Sequence, residues 1–221
     1  DTPGVSTRVS TPERARVVPD RASSGRKLPG TSHVVPPEPQ LRAMQAYLPF
    51  DKLGVLYTPT EPNSVAIVAE LRELQSVVGF ELVEATFPLG PDGKPHADTA
   101  PTLVDGLADA GAQWLYYLPD TFLSQNIDKV APQATKRHLP GFSAVELLQH
   151  DALISLVSRY YSLGQLNGYK AEQILVNGVA PQDIPIETLQ RFALIINMPL
   201  AKELELYPPL GMLSYANVLT N

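Results

Sequence analysis

Cysteine is absent from this chain of 221 residues, and histidine is scarce, with four residues at positions 33, 96, 138 and 150. Without cysteine there can be no disulfide, no thiolate metal site and no cysteine nucleophile. The histidines do not form an H-E-x-x-H pattern, so a metal site would need distant segments to converge. No cofactor or metal is therefore expected. The lack of cysteine suits the cytoplasm and a Gram-negative periplasm equally.

Long apolar runs and an excess of basic residues are also missing. No run of about 18 apolar residues occurs, so no membrane-spanning helix is predicted, and the first residues lack the pattern of a secretory signal. The 17 basic and 23 acidic residues give a net charge of −6, which disfavours nucleic-acid binding. Residues 1–30 hold six basic and three acidic residues. They are interpreted as a solvated segment, with a basic arm as the alternative.

The motifs of common enzyme classes are missing as well. The chain has no G-x-S-x-G elbow, no P-loop and no G-x-G-x-x-G fingerprint. Ser32 and His33 are adjacent in a loop-like segment, but no third residue is evident to complete a nucleophile–base arrangement. We therefore expect that the protein is not an enzyme.

Proline is plentiful, with 22 residues in the chain and seven among the first 40. Because proline fixes φ and removes a backbone donor, residues 1–40 are predicted to be an irregular segment. Residues 41–190 are predicted to form an α/β ligand-binding lobe. Residues 191–221 are predicted to be a return strand and C-terminal helices that lead toward a hinge.

From residue 41 onwards, short apolar runs alternate with amphipathic segments. Strands are predicted at residues 53–57, 80–87, 113–118, 139–145, 152–157 and 191–198. Helices are predicted at residues 41–48, 64–78, 99–110, 122–137, 160–176, 200–206 and 212–219. We expect Pro132 to limit or kink the fourth of these helices. The alternation indicates a mainly parallel sheet flanked by helices, in a three-layer α/β/α arrangement.

Polar side chains follow several predicted strands, where parallel sheets bind their ligands. They are Glu61, Asn63, Ser64, Asp120, Thr121, Ser143 and Glu146. Asn63 or Ser64 either caps a helix or stands beside free N–H groups that can receive a carboxylate. Asp120 either pairs with an ammonium group or caps its own helix. Together these groups suit a zwitterion such as an amino acid.

Aromatic residues cluster in two places besides these loops. Trp114 and the pair Tyr116–Tyr117 lie in an apolar predicted strand, so Trp114 is predicted to be a core residue. The pair Tyr160–Tyr161 lies in or near another strand. We expect at least one tyrosine of each pair in the core, and any of them could instead face a ligand ring.

Six segments of the chain, taken in order, resemble those of one known family. They are residues 30–40, 55–64 (VLYTPTEPNS), 118–121 (LPDT), 152–164, 174–187 and 195–202. The chain is thus similar over about residues 30–221 to ABC-transporter substrate-binding proteins of the tryptophan/tyrosine type. The resemblance implies the periplasmic binding protein fold, in which two α/β lobes close on a ligand about a hinge.

The resemblance also implies a function and a set of contacts. It implies capture of a small ligand, often an aromatic amino acid, in the periplasm or cell envelope and delivery to an ABC permease in the membrane. By position, Asn63 and Ser64 would receive the ligand's carboxylate and Asp120 its ammonium. The supporting contacts would be Glu61, Thr121, Ser143 and Glu146.

The sequence departs from the family pattern in several places. Residues 1–29 are too short and too rich in proline to build a first lobe, which is therefore expected to be missing. Asp151 and Val157 stand where the family usually has glycine, and Arg159 where it has an acidic residue, so the pocket is expected to be reshaped. The alternatives are a sensory or regulatory ligand-binding module and a half-fold that pairs as a homodimer without a ligand.

Overall fold

A computed structural model describes Val5 and residues 29–220. The strands are β1 Thr31–Ser32, β2 Lys52–Tyr57, β3 Glu81–Thr86, β4 Trp114–Tyr117, β5 Gly141–Ser143, β6 Ile154–Val157, β7 Glu187–Thr188, β8 Ala193–Asn197 and β9 Asn217–Leu219. The α-helices are α1 Pro37–Tyr47, α2 Pro62–Leu74, α3 Ala100–Asp109, α4 Thr121–Gln125, α5 Ile127–Lys136, α6 Tyr160–Leu175, α7 Met198–Glu203 and α8 Leu210–Leu213. The expectations of a missing first lobe, for residues 1–29, and of a basic arm, for residues 1–30, fall almost wholly outside the described residues.

Seven of the strands form one sheet in the order β3-β2-β4-β5-β6-β8-β9. Every neighbouring pair is parallel except β6 and β8, which are antiparallel. The prediction of a mainly parallel sheet is therefore confirmed. The predicted return strand corresponds to β8, and it belongs to this same sheet rather than to a separate unit.

The central strand β4 shows how the sheet is covered on both faces. Trp114 and Tyr116 point to one face and pack with α1 and α2, whereas Leu115 and Tyr117 point to the other and pack with α3 and α5. This alternation is the period of two that a strand imposes on its side chains. The two apolar clusters give the predicted three layers.

The aromatic predictions have mixed outcomes. Trp114 is buried, as predicted, and both Tyr116 and Tyr117 are buried where at least one of them was expected to be. The Trp114 indole donates to the Leu48 carbonyl at 3.1 Å. The expectation for the second pair is wrong, because Tyr160 is half-buried and Tyr161 is 79% exposed. Both belong to the first turn of α6, which agrees with the helix predicted at residues 160–176.

Two predicted boundaries near proline are also wrong. Helix α1 begins at Pro37, inside the segment that was predicted to be irregular. Proline is tolerated in the first turn of a helix, where the backbone N–H has no intrahelical partner. The predicted helix at 122–137 is divided at Asn126 into α4 and α5, while Pro132 lies inside α5.

The end of the chain differs from the prediction too. Residues 212–219 were predicted as one helix, but α8 ends at Leu213 and β9 follows at the edge of the sheet. Alanine and leucine in this stretch favour a helix, yet pairing with β8 provides backbone partners that the isolated segment lacks. The prediction therefore failed through a contact made by a distant segment.

A second, two-stranded sheet lies apart from the main one. Strand β1 pairs in parallel with β7, so that Thr31 faces Glu187 and Ser32 faces Thr188. The Thr188 hydroxyl also donates to the Ser32 carbonyl at 3.1 Å. The chain connects this pair to the main sheet directly at residues 33–36 and 189–192, and residues 158–159 form a third connection, from β6 into α6, which leads on to β7. Each of these strands has only two residues, which are too few to show the alternating pattern that predicts a strand.

Helix α6 is joined to this small sheet by a buried lysine. The Lys170 ammonium donates to the Pro185 carbonyl and to a Glu187 carboxylate oxygen, each at 2.6 Å. Lys170 is 2% exposed, whereas Glu187 is exposed. A buried charge needs such partners, so α6 and β7 are held together.

Asp151, which precedes β6, provides a test of pH dependence. Burial raises the pKa of Asp151, and nearby His150 acts in the opposite direction. A raised native pKa stabilises the fold below the unfolded pKa, and this contribution is lost as pH rises through the native pKa. We expect Asp151→Asn to be more stable than the wild type in urea at about pH 7, with the difference shrinking near pH 4. Asp183→Asn, at an exposed aspartate, is the control, and an equal gain there would contradict the prediction.

Candidate functional site

A cavity of about 520 Å³ opens at the carboxyl ends of β2, β4 and β5, the edge where parallel sheets bind ligands. It is lined by His33, Glu61, Asn63, Pro119, Asp120, Thr121, Ser124, Gln125, Val145, Leu147 and Tyr160. Its volume lies within the range of small-molecule sites. Four of the seven predicted site residues, Glu61, Asn63, Asp120 and Thr121, therefore meet in one cavity.

Asp120 is 1% exposed, and its carboxylate accepts four hydrogen bonds. Oδ2 accepts from the Thr58 backbone N–H and from the Ser64 hydroxyl, both at 2.7 Å. Oδ1 accepts from the Thr58 hydroxyl at 3.0 Å and from the Leu123 N–H at 2.8 Å. The bond to Leu123 caps α4, so one of the two predicted roles is present. The loops after β2 and β4 are joined through this one side chain.

Glu61 forms a second connection between the same two loops. Its carboxylate accepts from the Thr121 N–H at 2.9 Å and from the Thr121 hydroxyl at 3.0 Å. Burial raises the pKa of Glu61, the charge on Asp120 acts in the same direction, and the hydrogen bonds from Thr121 oppose it. Two carboxylates thus lie on one side of the cavity, and its lining residues include no lysine or arginine.

The start of α2 differs from the prediction. Glu61 occupies the N-cap position and Pro62 begins the helix, so neither Asn63 nor Ser64 caps it. The capping alternative for these two residues is wrong. Asn63 lines the cavity, whereas the buried Ser64 hydroxyl is turned to Asp120.

Ser64, Ser143 and Glu146 lie outside the set of lining residues. The Ser143 hydroxyl donates to the Val145 carbonyl at 2.7 Å and shapes the loop after β5. Glu146 contacts Arg159 and the backbone of Tyr160. The polar groups of these three side chains thus bind other protein groups beside the cavity.

Several lining residues were missed by sequence reasoning. The sequence assigns no role to the adjacent Ser32 and His33, and it leaves open whether Tyr160 lies in the core or faces a ligand ring. The rings of His33 and Tyr160 meet edge to face, with centroids 6.2 Å apart and planes at 64°. Leu147 is 61% exposed although it is apolar. The sequence signal for Leu147 is its position in a loop after a predicted strand.

The cavity combines charge with an apolar and aromatic side. Its carboxylates can attract an ammonium group, and the amide and hydroxyl groups of Asn63, Thr121, Ser124 and Gln125 can form hydrogen bonds. Leu147, Val145 and the two rings offer apolar contact. Among residues 29–220 no cluster of acidic and histidine side chains could hold a metal ion. No helix in the described part of the chain is long and apolar enough to cross a membrane.

Known proteins share this fold. A conserved domain protein from Vibrio cholerae has a TM-score of 0.83 at 24% identity, covering 97% of this chain and 70% of that one. The ABC domain from Streptococcus pneumonia in complex with L-Trp has a TM-score of 0.83 at 22% identity, covering 99% and 72%. The ligand-free, open structure of a substrate binding protein with adhesive properties from Clostridium difficile has a TM-score of 0.78 at 25% identity, covering 97% and 70%.

Sequence comparison gives the family. A tyrosine-binding protein from Clostridioides difficile is 26% identical over 208 residues, which are 93% of this chain and 58% of that protein. The chain thus spans less than two thirds of the length of this curated relative. The profile described as ABC transporter substrate binding protein matches residues 1–218. The resemblance noted in the sequence is therefore confirmed, and the chain belongs to the ABC transporter substrate binding protein family.

Proposed function

We propose that the chain captures a small amine-bearing ligand, an amino acid with an aromatic side chain, and delivers it to an ABC permease. The observation that carries this proposal is the cavity with two carboxylates on one side and the His33–Tyr160 ring pair on another. The relative named as tyrosine-binding and the fold neighbour that holds L-Trp support the aromatic assignment.

Each part of such a ligand has a counterpart in the cavity. The ammonium lies toward Glu61 and Asp120. The carboxylate lies toward Asn63 at the start of α2, where the first N–H groups have no intrahelical partner. The side-chain ring lies toward Leu147 and Tyr160. Since the four hydrogen bonds to Asp120 come from the protein, Asp120 acts on the ammonium chiefly through its charge.

The partner and the compartment follow from the same proposal. The permease is a membrane component of the importer, and the binding protein works in the periplasm or cell envelope. The proposed role is binding without chemical conversion of the ligand. Neither a cofactor nor nucleic acid is needed for it.

The exposed face of α6 supports a second candidate, a homodimer. Tyr161, Tyr169 and Leu175 are 79%, 58% and 78% exposed on this helix, and a second copy of the chain would remove this apolar surface from water. Light scattering on the purified chain tests it. A monomer at high concentration would rule out this candidate and leave the ligand-binding proposal untouched.

Thermal denaturation with a panel of ligands tests the main proposal. We expect L-tyrosine, L-tryptophan and L-phenylalanine to raise the Tm, because a ligand at about 100 times its Kd adds roughly 2.7 kcal/mol. L-alanine lacks the ring and N-acetyl-L-tyrosine lacks the ammonium, so both should give smaller shifts. An equal shift with N-acetyl-L-tyrosine would contradict the ammonium assignment, and no shift with any amino acid would overturn the proposed function.

A further inference from the structure

The cavity is built from two parts of the chain. The loops after β2, β4 and β5 contribute the carboxylates, the polar groups and Leu147. His33, which follows β1, and Tyr160, which begins α6, contribute the ring pair from outside the main sheet. The position of the ring pair relative to the sheet decides whether the ring of a bound ligand can pack against it.

Glu146 connects these two parts. It begins a 3₁₀ turn after β5, directly before Leu147. Its Oε2 accepts a hydrogen bond from the Tyr160 backbone N–H at 2.5 Å. Its Oε1 lies 3.0 Å from the Arg159 Nε, and its side chain is 15% exposed. One carboxylate thus reaches from the loop of the main sheet to the first turn of α6.

The contact supplies what α6 lacks at its start. The first N–H groups of a helix have no intrahelical acceptor, and Arg159 at the N-cap position makes no capping side-chain bond. A negative charge beside a helix N-terminus is also favourable. Glu146 therefore caps α6 from a position 14 residues earlier in the chain.

We propose that Glu146 is a positioning residue that holds the Tyr160 ring against His33 and so sets the preference of the cavity for aromatic ligands. This inference rests on the proposed function. Glu146 acts through Tyr160 without touching the ligand. Arg159 orients the carboxylate and has a smaller effect, because its side chain is 47% exposed and the pair is screened by solvent.

A double-mutant cycle with the full chain tests this role. Tyr160→Ala removes the ring, and an edge-to-face ring contact accounts for up to about tenfold in Kd. Glu146→Ala should weaken L-tyrosine binding by a similar factor, while Glu146→Gln, whose amide oxygen can still accept from the Tyr160 N–H, should recover most of it. The double variant should bind as weakly as Tyr160→Ala alone, since both changes act through one ring.

Ligand selectivity and amide exchange separate positioning from a general loss of structure. Glu146→Ala should weaken L-tyrosine binding more than L-alanine binding, and it should speed hydrogen exchange at the Tyr160 amide in the absence of ligand. Glu81→Ala removes the exposed ion pair with Lys52 at the amino ends of β3 and β2, the opposite end of these strands from the cavity, and should change neither property.

Three results would overturn the inference. Additive losses in the double variant would mean that Glu146 contacts the ligand directly. Unchanged L-tyrosine binding in Glu146→Ala would show that Glu146 has no positioning role. Unchanged hydrogen exchange at the Tyr160 amide would show that Glu146 does not cap α6. These outcomes differ from failure of the proposed function, in which the wild-type chain binds none of the amino acids.

Discussion

Replacing Asp120 with alanine is expected to lower the free energy of unfolding by about 3–4 kcal/mol and to abolish capture of an amine-bearing ligand. The change leaves two buried backbone N–H groups, those of Thr58 and Leu123, without an acceptor, and it removes the cap of α4. It also removes one of the two charges that attract the ammonium. Urea denaturation measures the first effect, and calorimetric titration with L-tyrosine on folded protein measures the second.

Ser64→Ala is the matched control for this prediction. It removes one hydrogen-bond donor to Asp120 and keeps the charge, so it should cost about 1 kcal/mol of stability and leave most of the ligand affinity. If folded Asp120→Ala protein binds amino acids as tightly as the wild type, the ammonium assignment is wrong.

Gly141→Ala is expected to destabilise the fold by about 2–3 kcal/mol through overpacking. A Cβ at this position would lie 2.5 Å from the Tyr117 ring and 2.6 Å from its hydroxyl. Tyr117 is 1% exposed in the centre of the sheet, so its ring cannot turn toward solvent. Thermal or urea denaturation gives the loss directly.

Gly106→Ala provides the opposite control. Gly106 lies inside α3, and a Cβ there would meet no atom within 4 Å. Because alanine is the better helix former, this change should stabilise the protein by about 0.5–1 kcal/mol. Equal effects of the two substitutions would show that close packing at Gly141 does not constrain the sheet.

The interior strands of the main sheet could be predicted because they are buried on both faces and their sequences are apolar runs. The runs around Val55, Trp114 and Ile195 each correspond to a strand. The short strands β1, β7 and β9 could not be predicted, since pairing with a distant segment decides whether two or three residues become a strand.

The candidate site could be predicted only in part, for a related reason. Polar residues directly after strands, such as Glu61 and Asp120, share one edge by topology and meet in the cavity. His33 and Tyr160 reach the cavity through the packing of α6 and β1, which no local pattern records. The hydrogen bonds that turn Ser64 and Glu146 toward protein partners are likewise tertiary.

The parallel pairing of β1 with β7 has a mechanical consequence. It places the starts of the connections at residues 33–36 and 189–192 side by side, while residues 158–159 form a third connection between β6 and α6. Sliding of β1 along β7 would break the bond from the Thr188 hydroxyl to the Ser32 carbonyl, so the first two connections are expected to move together. The third connection reaches α6 directly before Tyr160, so a displacement of the small sheet and α6 relative to the main sheet would also displace the ring pair that lines the cavity.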